Sequence, residues 1–236
     1  MDYQPLYPDW KRVTEGSWFY DWQTDEDYLA KQSEYQSQDP TGRLKCKDFR
    51  VGLALRAGIA VVEEDAIELT LTLTNQSSEI LANVLCDGGC LQARSESFTG
   101  QNEVARSYLM MNERMVSMKD LSRTIDVRCT YHCRPEDYRR APHDEGLWFW
   151  GESSDHPDSP VIVGMVSQRH DRAVVIGYAG STSGSANADE HHCLHSRPAF
   201  GDILPGATIR RHGWILFGSN IEDLANRLSE KIQEIS

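Results

Sequence analysis

From about Phe49, apolar and polar positions alternate with period two in a series of short runs. Ile67, Leu69, Leu71 and Leu73 alternate without a break against Glu68, Thr70, Thr72 and Thr74, which predicts a strand with one buried and one wet face. Before it, Val51, Leu53 and Leu55 alternate in the same way, Gly58 to Val62 is a second apolar run, and Glu63 to Asp65 reads as a turn. Asn75 to Ser78 supplies turn residues. Beyond them Ile80, Ala82, Val84 and Cys86 fall on one face of a further strand, and Ile125, Val127, Cys129 and Tyr131 form another. Val161 to Val166 and Ala173 to Tyr178 predict two strands joined as a hairpin by Ser167 to Arg172. Pro205-Gly206 turns the chain into a last strand, Ile209 to Phe217. The methionine-rich stretch Tyr108 to Met118 fits either strand or helix.

The two ends differ in kind. Ser219-Asn-Ile-Glu222 matches a capping box, and Ile221, Leu224, Ala225, Leu228, Ile232 and Ile235 lie on one helical stripe. An amphipathic helix over 219–236 follows. Residues 1–45 carry Trp10, Trp18, Phe19, Tyr20, Trp22, Tyr28 and Tyr35. Rings that large avoid water together, so this arm is expected to pack on the body of the fold or on a second copy of the chain, forming a homo-oligomer. Stacking of a sugar on Trp18 or Trp22 is the alternative. The fold class expected is mainly β: one antiparallel β-sandwich domain over 1–236, with an aromatic N-terminal arm and a C-terminal amphipathic helix.

Charge narrows the partners. Lys and Arg number 24 against 36 Asp and Glu, a net −12, and basic residues cluster only as pairs such as Arg139-Arg140 and Arg210-Arg211. Neither nucleic acid nor an anionic membrane surface is expected as a partner. No apolar run reaches the roughly 18 residues of a membrane span. With Met1 as the start, the expectation is a cytoplasmic protein whose six cysteines are thiols and whose sequon Asn75-Gln-Ser77 carries no glycan. Cys86 and Cys90 share a spacing with Cys129 and Cys133. Core thiols are favoured there over a four-cysteine zinc site or cross-strand bridges. Gly180 to Ser185 lacks the lysine of a phosphate-binding loop and opens no helix.

Candidate chemistry concentrates in Asn187 to Gly206, read as a loop holding His191, His192 and His195 with Cys193 and the acids Asp189, Glu190 and Asp202. His192 and His195, with Glu190 or Asp202, are the candidate acid and base, because imidazole exchanges protons near neutral pH. If the segment is extended, His191, Cys193 and His195 project to one side, where they could ligate a divalent metal such as zinc. That metal is an alternative; the leading expectation is no cofactor. Cys193 as a nucleophile competes with the commoner buried thiol. Trp148 and Trp150 fall on one side of a short strand as a sugar-stacking pair would, and Arg197 and His132 are further candidate substrate contacts.

Ile67 to Ser78, a long strand ending in a Thr-Asn turn, and Leu204-Pro-Gly-Ala-Thr208 before a late strand resemble the galactose mutarotase-like sandwich proteins. The resemblance implies a β-sandwich fold. Mutarotases typically carry a histidine in the segment where this chain has Leu85-Cys-Asp-Gly-Gly-Cys90, and the chain is short for the family's full sandwich, so mutarotase activity is not implied. Cys193-Leu-His195 through Phe200-Gly-Asp202 and Pro205-Gly206 also resembles uncharacterised bacterial β-sandwich proteins. The expectation is a protein that recognises or processes a carbohydrate through its histidine-rich segment, with a saccharide as ligand. A non-enzymatic structural or oligomerising module is the second reading, and a metal-binding protein with histidine and cysteine ligands the third.

Overall fold

The structure, a computed structural model, describes residues 5–6, 43–48, 53–86, 90–93, 95–100, 103–122, 129–133, 150–187 and 193–235. In chain order the elements are β1 (Pro5–Leu6), β2 (Arg43–Asp48), β3 (Leu53–Glu63), β4 (Ala66–Asn75), β5 (Leu81–Cys86) and β6 (Cys90–Gln92). A one-turn helix α1 (Glu103–Arg106) precedes β7 (Ser107–Met111), β8 (Arg114–Ser117), β9 (Cys129–Cys133) and β10 (Trp150–Glu152). Then come β11 (Ile162–Val166), β12 (Ala173–Tyr178), β13 (Ser181–Asn187), β14 (Cys193–Ile203), β15 (Thr208–Gly218) and α2 (Ile221–Gln233).

Two sheets form the sandwich. One is eight-stranded in the order β2-β3-β4-β15-β12-β11-β7-β8; the other is seven-stranded, β1-β5-β14-β13-β9-β10, with β6 also on β14. Among the described residues every pairing is antiparallel except β9 with β10. The expected mainly β, antiparallel fold is therefore observed. The alternation read from sequence sets the core. Leu53 and Leu55 of β3, Leu69, Leu71 and Leu73 of β4, Val174 and Ile176 of β12 and Ile215 of β15 meet Val84, Leu194 and Phe200 of the other sheet. Helix α2 lies on the outer face of the eight-stranded sheet, its Leu224, Ala225, Leu228 and Ile232 packed on Ile162, Val175, Trp214 and Leu216.

Several expectations change. The two runs before Glu63 are a single strand, β3, paired along its length with β4. Tyr108 to Met118 is the β7–β8 hairpin ending in a 3-10 turn, and at its tip Asn112 and Glu113 have φ of 52° and 61°. Positive φ at both central residues is the mirror-image turn that matches strand twist. Asp158 accepts both turn amides, Asn112 N at 2.9 Å and Glu113 N at 2.7 Å. On β5 the face expected from Ile80, Ala82, Val84 and Cys86 breaks: Leu81, Val84 and Cys86 are buried, whereas Ala82 is exposed and Ile80 is 55% exposed. The pairing with β14 shifts register between Val84 and Leu81, and one extra residue moves the following side chains to the opposite face. The cap of α2 is Asn220 and not Ser219, with Oδ1 accepting from Glu222 N at 3.0 Å and Asp223 N at 3.5 Å. Ile235, at the end of the predicted stripe, is exposed.

The largest change concerns Gly180 to Ser185 and Asn187 to Gly206. The second reads as a loop and the first is assigned no element, yet both supply strands, β13 and β14, inside the seven-stranded sheet. Neither run alternates apolar with polar, because the two sheets approach closely here and small residues are needed. A Cβ at Gly184 would stand 2.6 Å from Val163 Cγ2 and 2.9 Å from Val161 Cγ1 of the facing sheet. Hydroxyls bridge the same gap: Ser181 Oγ accepts from Val161 N at 2.7 Å, and Ser196 Oγ donates to Val161 O at 2.9 Å.

Candidate functional site

Leu194 and Ala186 belong to the core between the sheets, and Ser196 bonds across to Val161. The intervening residues of β14, Cys193, His195 and Arg197, therefore face the other way, as does Ser185, which is in register with His195. Ser183 is in register with Arg197, and the Arg197 guanidinium reaches diagonally, its Nη2 donating to Ser185 Oγ at 2.9 Å. Although polar, this face is buried: Ser183 and Ser185 are fully inaccessible, Arg197 is 2% exposed and His195 6%. Ser183 Oγ has no hydrogen-bond partner among the described residues. Gln92 of β6, the strand beside β14, donates Nε2 to Cys193 Sγ at 3.6 Å.

An imidazole, a guanidinium and two serine hydroxyls thus share one face of adjacent strands. Imidazole can give or take a proton, the guanidinium donates only, and a hydroxyl does both. That set matches a ligand dense in hydroxyls.

Of the candidates named from sequence, the structure brings together Cys193, His195 and Arg197. His132 lies on β9, its Cα in register with Gly184, and Trp150 lies on the edge strand β10 in register with Cys129. With β13 and β9 between β14 and β10, Trp150 stands about 14 Å from β14 across the sheet. Asp202 is on β14 but exposed, and seven residues of strand carry it about 23 Å from His195. Glu190, His191, His192 and Trp148 lie outside the described residues, as do the arm tryptophans Trp18 and Trp22 and the apolar positions Ile125 and Val127. Among the described residues no three His, Cys, Asp or Glu side chains converge as a metal site. Cys86 is buried in the core, and Cys90 is in register with His195. Ser183 and Ser185 were not anticipated. Their signal was the alternation of Ser183 and Ser185 with Thr182, Gly184 and Ala186, which carries no large apolar residue; Ser181 faces the core, a register shift separating it from Ser183.

No protein-family model matches the chain, and no curated protein matches it. Solved structures resemble it in fold. A proposed aldose 1-epimerase from Escherichia coli K12 aligns with 76% of this chain at 8% identity and a TM-score of 0.40, over 65% of its own length. A galactose mutarotase related enzyme from Lactobacillus acidophilus aligns with 76% at 8% identity and a TM-score of 0.40, over 67% of its length. An α-galactosidase from Lactobacillus brevis aligns with 78% at 14% identity and a TM-score of 0.42, over 24% of its length. The chain spans about two thirds or less of the proteins it resembles. At these values the likeness concerns fold alone. No helix among the described residues is long and apolar enough to cross a membrane.

Proposed function

We propose that this protein binds a carbohydrate on the β13–β14 face, with His195 as the acid or base of any reaction there and Arg197, Ser183 and Ser185 as hydroxyl-binding groups. The observation that carries the reading is the burial of these four polar side chains on one sheet face, with the Ser183 hydroxyl lacking a partner among the described residues. Burial of polar groups is costly unless they are bonded, and alternating donors and acceptors suit a polyhydroxylated ligand. Cys193 beside them is a packed thiol in this reading.

His195→Ala and Ser185→Ala are the test, each screened against a saccharide panel by calorimetry and checked for folding by thermal melting. Loss of one or two hydrogen bonds should weaken binding about tenfold to a hundredfold while the melting curve stays cooperative. Where a saccharide is turned over, His195→Ala should lower kcat by on the order of a hundredfold or more. A wild type that binds no saccharide, or variants that bind as well as wild type, would overturn the reading.

A further inference from the structure

Arg106 ends the one-turn helix α1, beside the eight-stranded sheet, and is 5% exposed. Its Nη1 donates to the carbonyl of Val166, at the end of β11, at 3.0 Å. Its Nε and Nη2 are buried and have no hydrogen-bond partner among the described residues. These two N–H groups lie along one edge of the planar guanidinium, the edge that takes both oxygens of a carboxylate in parallel. The edge is held in place from several sides. Ser107 Oγ donates to Glu103 O at 2.9 Å, Ser117 Oγ donates to Ala105 O at 3.0 Å, and Val166 anchors the far nitrogen.

A guanidinium keeps its proton at any pH a folded protein meets, so its burial cannot be relieved by neutralisation. Water could satisfy the two N–H groups but would leave the charge in place; an oxyanion answers both. Glu103, one turn earlier, is fully buried and accepts from Gly100 N through Oε1 at 3.1 Å. We propose that the Nε–Nη2 edge of Arg106 binds a small carboxylate-type oxyanion, at a site in the opposite sheet layer from the β13–β14 face. Complete burial of the edge selects for a compact ligand of the size of formate or acetate. Entry would pass the adjoining 95–100 turn, which Gln168 ties to the 167–172 turn through its backbone N on Ser97 O at 2.7 Å.

The test uses the full chain, with formate, acetate, phosphate and chloride compared at constant ionic strength. An anion that binds the folded state raises the melting temperature with the logarithm of its concentration. Formate and acetate should do so and chloride should not, and ¹³C-formate should show exchange broadening on adding protein. Arg106→Lys keeps the charge and loses the paired edge, so the carboxylate dependence should weaken at least tenfold. A crystal structure of the wild type grown in formate gives a reading that needs no variant, and should show the anion on Nε and Nη2. The proposal fails if chloride matches formate, if Arg106→Lys retains the full dependence, or if water or the Glu103 carboxylate fills the edge. A stronger response to phosphate than to carboxylates would also overturn the ligand class.

Discussion

Asn75 shows how much one polar side chain can organise. It is fully buried, and its Nδ2 donates to Glu79 O at 2.7 Å and to Ile203 O at 2.8 Å. Its Oδ1 accepts from Ser77 N at 2.9 Å and Ser77 Oγ at 2.7 Å. The backbone adds two bonds to the turn before β15, Asn75 N to Ala207 O at 3.0 Å and Gly206 N to Asn75 O at 2.8 Å. One residue therefore ties the β4–β5 turn to the β14–β15 turn, two connections that each cross from one sheet to the other. Asn75→Ala would strip two carbonyls and two Ser77 donors of their partner and should destabilise the fold by about 3 kcal/mol. Urea unfolding checks this: the midpoint should fall with the slope unchanged. A loss under about 1 kcal/mol would mean that water replaces the amide. The same geometry bears on the sequon, because a glycan on Nδ2 would displace both carbonyl bonds.

At the scale of elements, the β3–β4 hairpin and α2 are clamped by charge. Arg227 binds Asp65 in a bidentate pair, Nη1 to Oδ2 at 2.6 Å and Nη2 to Oδ1 at 2.7 Å, and reaches Glu63 Oε2 at 3.1 Å. Lys231 also binds Glu63. The hydrogen bond from Arg227 holds the Asp65 carboxyl below its ordinary value, and that from Lys231 does the same for Glu63. A carboxylate whose pKa is lowered on folding contributes above its unfolded value and loses that contribution as pH falls through the lowered one. The clamp should therefore hold at neutral pH and weaken from about pH 4 downward. The pairs are open to solvent, so Arg227→Met should change stability only modestly at pH 7. It should also flatten the acid decline, measured as unfolding midpoints between pH 7 and pH 2.5; parallel wild-type and variant curves would remove the clamp from the account. Glu222 adds a tie of another kind, its two carboxylate oxygens each accepting from Met115 N of β8 at 3.1 Å.

For the whole molecule, α2 makes a third layer over part of the sandwich. Leu228 is fully buried in the cluster that Ile162, Val175, Trp214 and Leu216 form beneath the helix. The fit is close: a Cβ at Gly177 would be 3.2 Å from both Ile162 Cγ1 and Leu228 Cδ2. Leu228→Ala should cost about 2–5 kcal/mol, read as a shift in the urea midpoint, because the surrounding side chains relax only partly into the space left. A cost below about 1 kcal/mol would make the helix an accessory to the sandwich. Beyond the helix this outer face is wetter. There His212 Nδ1 pairs with Glu68 Oε1 at 2.9 Å, and Thr74 meets Thr208 across the strands at 2.8 Å.

Wherever one face of an element is apolar and the other wet, the sequence by itself determined the element and its buried side. The leucines of β4, β15 and the stripe of α2 were legible for that reason, while β11 and β12, buried on both faces, were legible as continuous apolar runs. Tertiary structure decided the rest, because those choices depend on what lies opposite. The register shift on β5 exposes Ile80 and Ala82 through its pairing with β14, a partner more than a hundred residues away in sequence. Gly184, Ser181 and Ser196 are strand residues because the facing Val161 and Val163 leave no room for larger ones. The candidate site divides in the same way. The spacing of Cys193, His195 and Arg197 showed that they share a side of an extended chain. Only the pairing of β14 with β13 put Ser183 and Ser185 beside them, and only packing made the face a buried one.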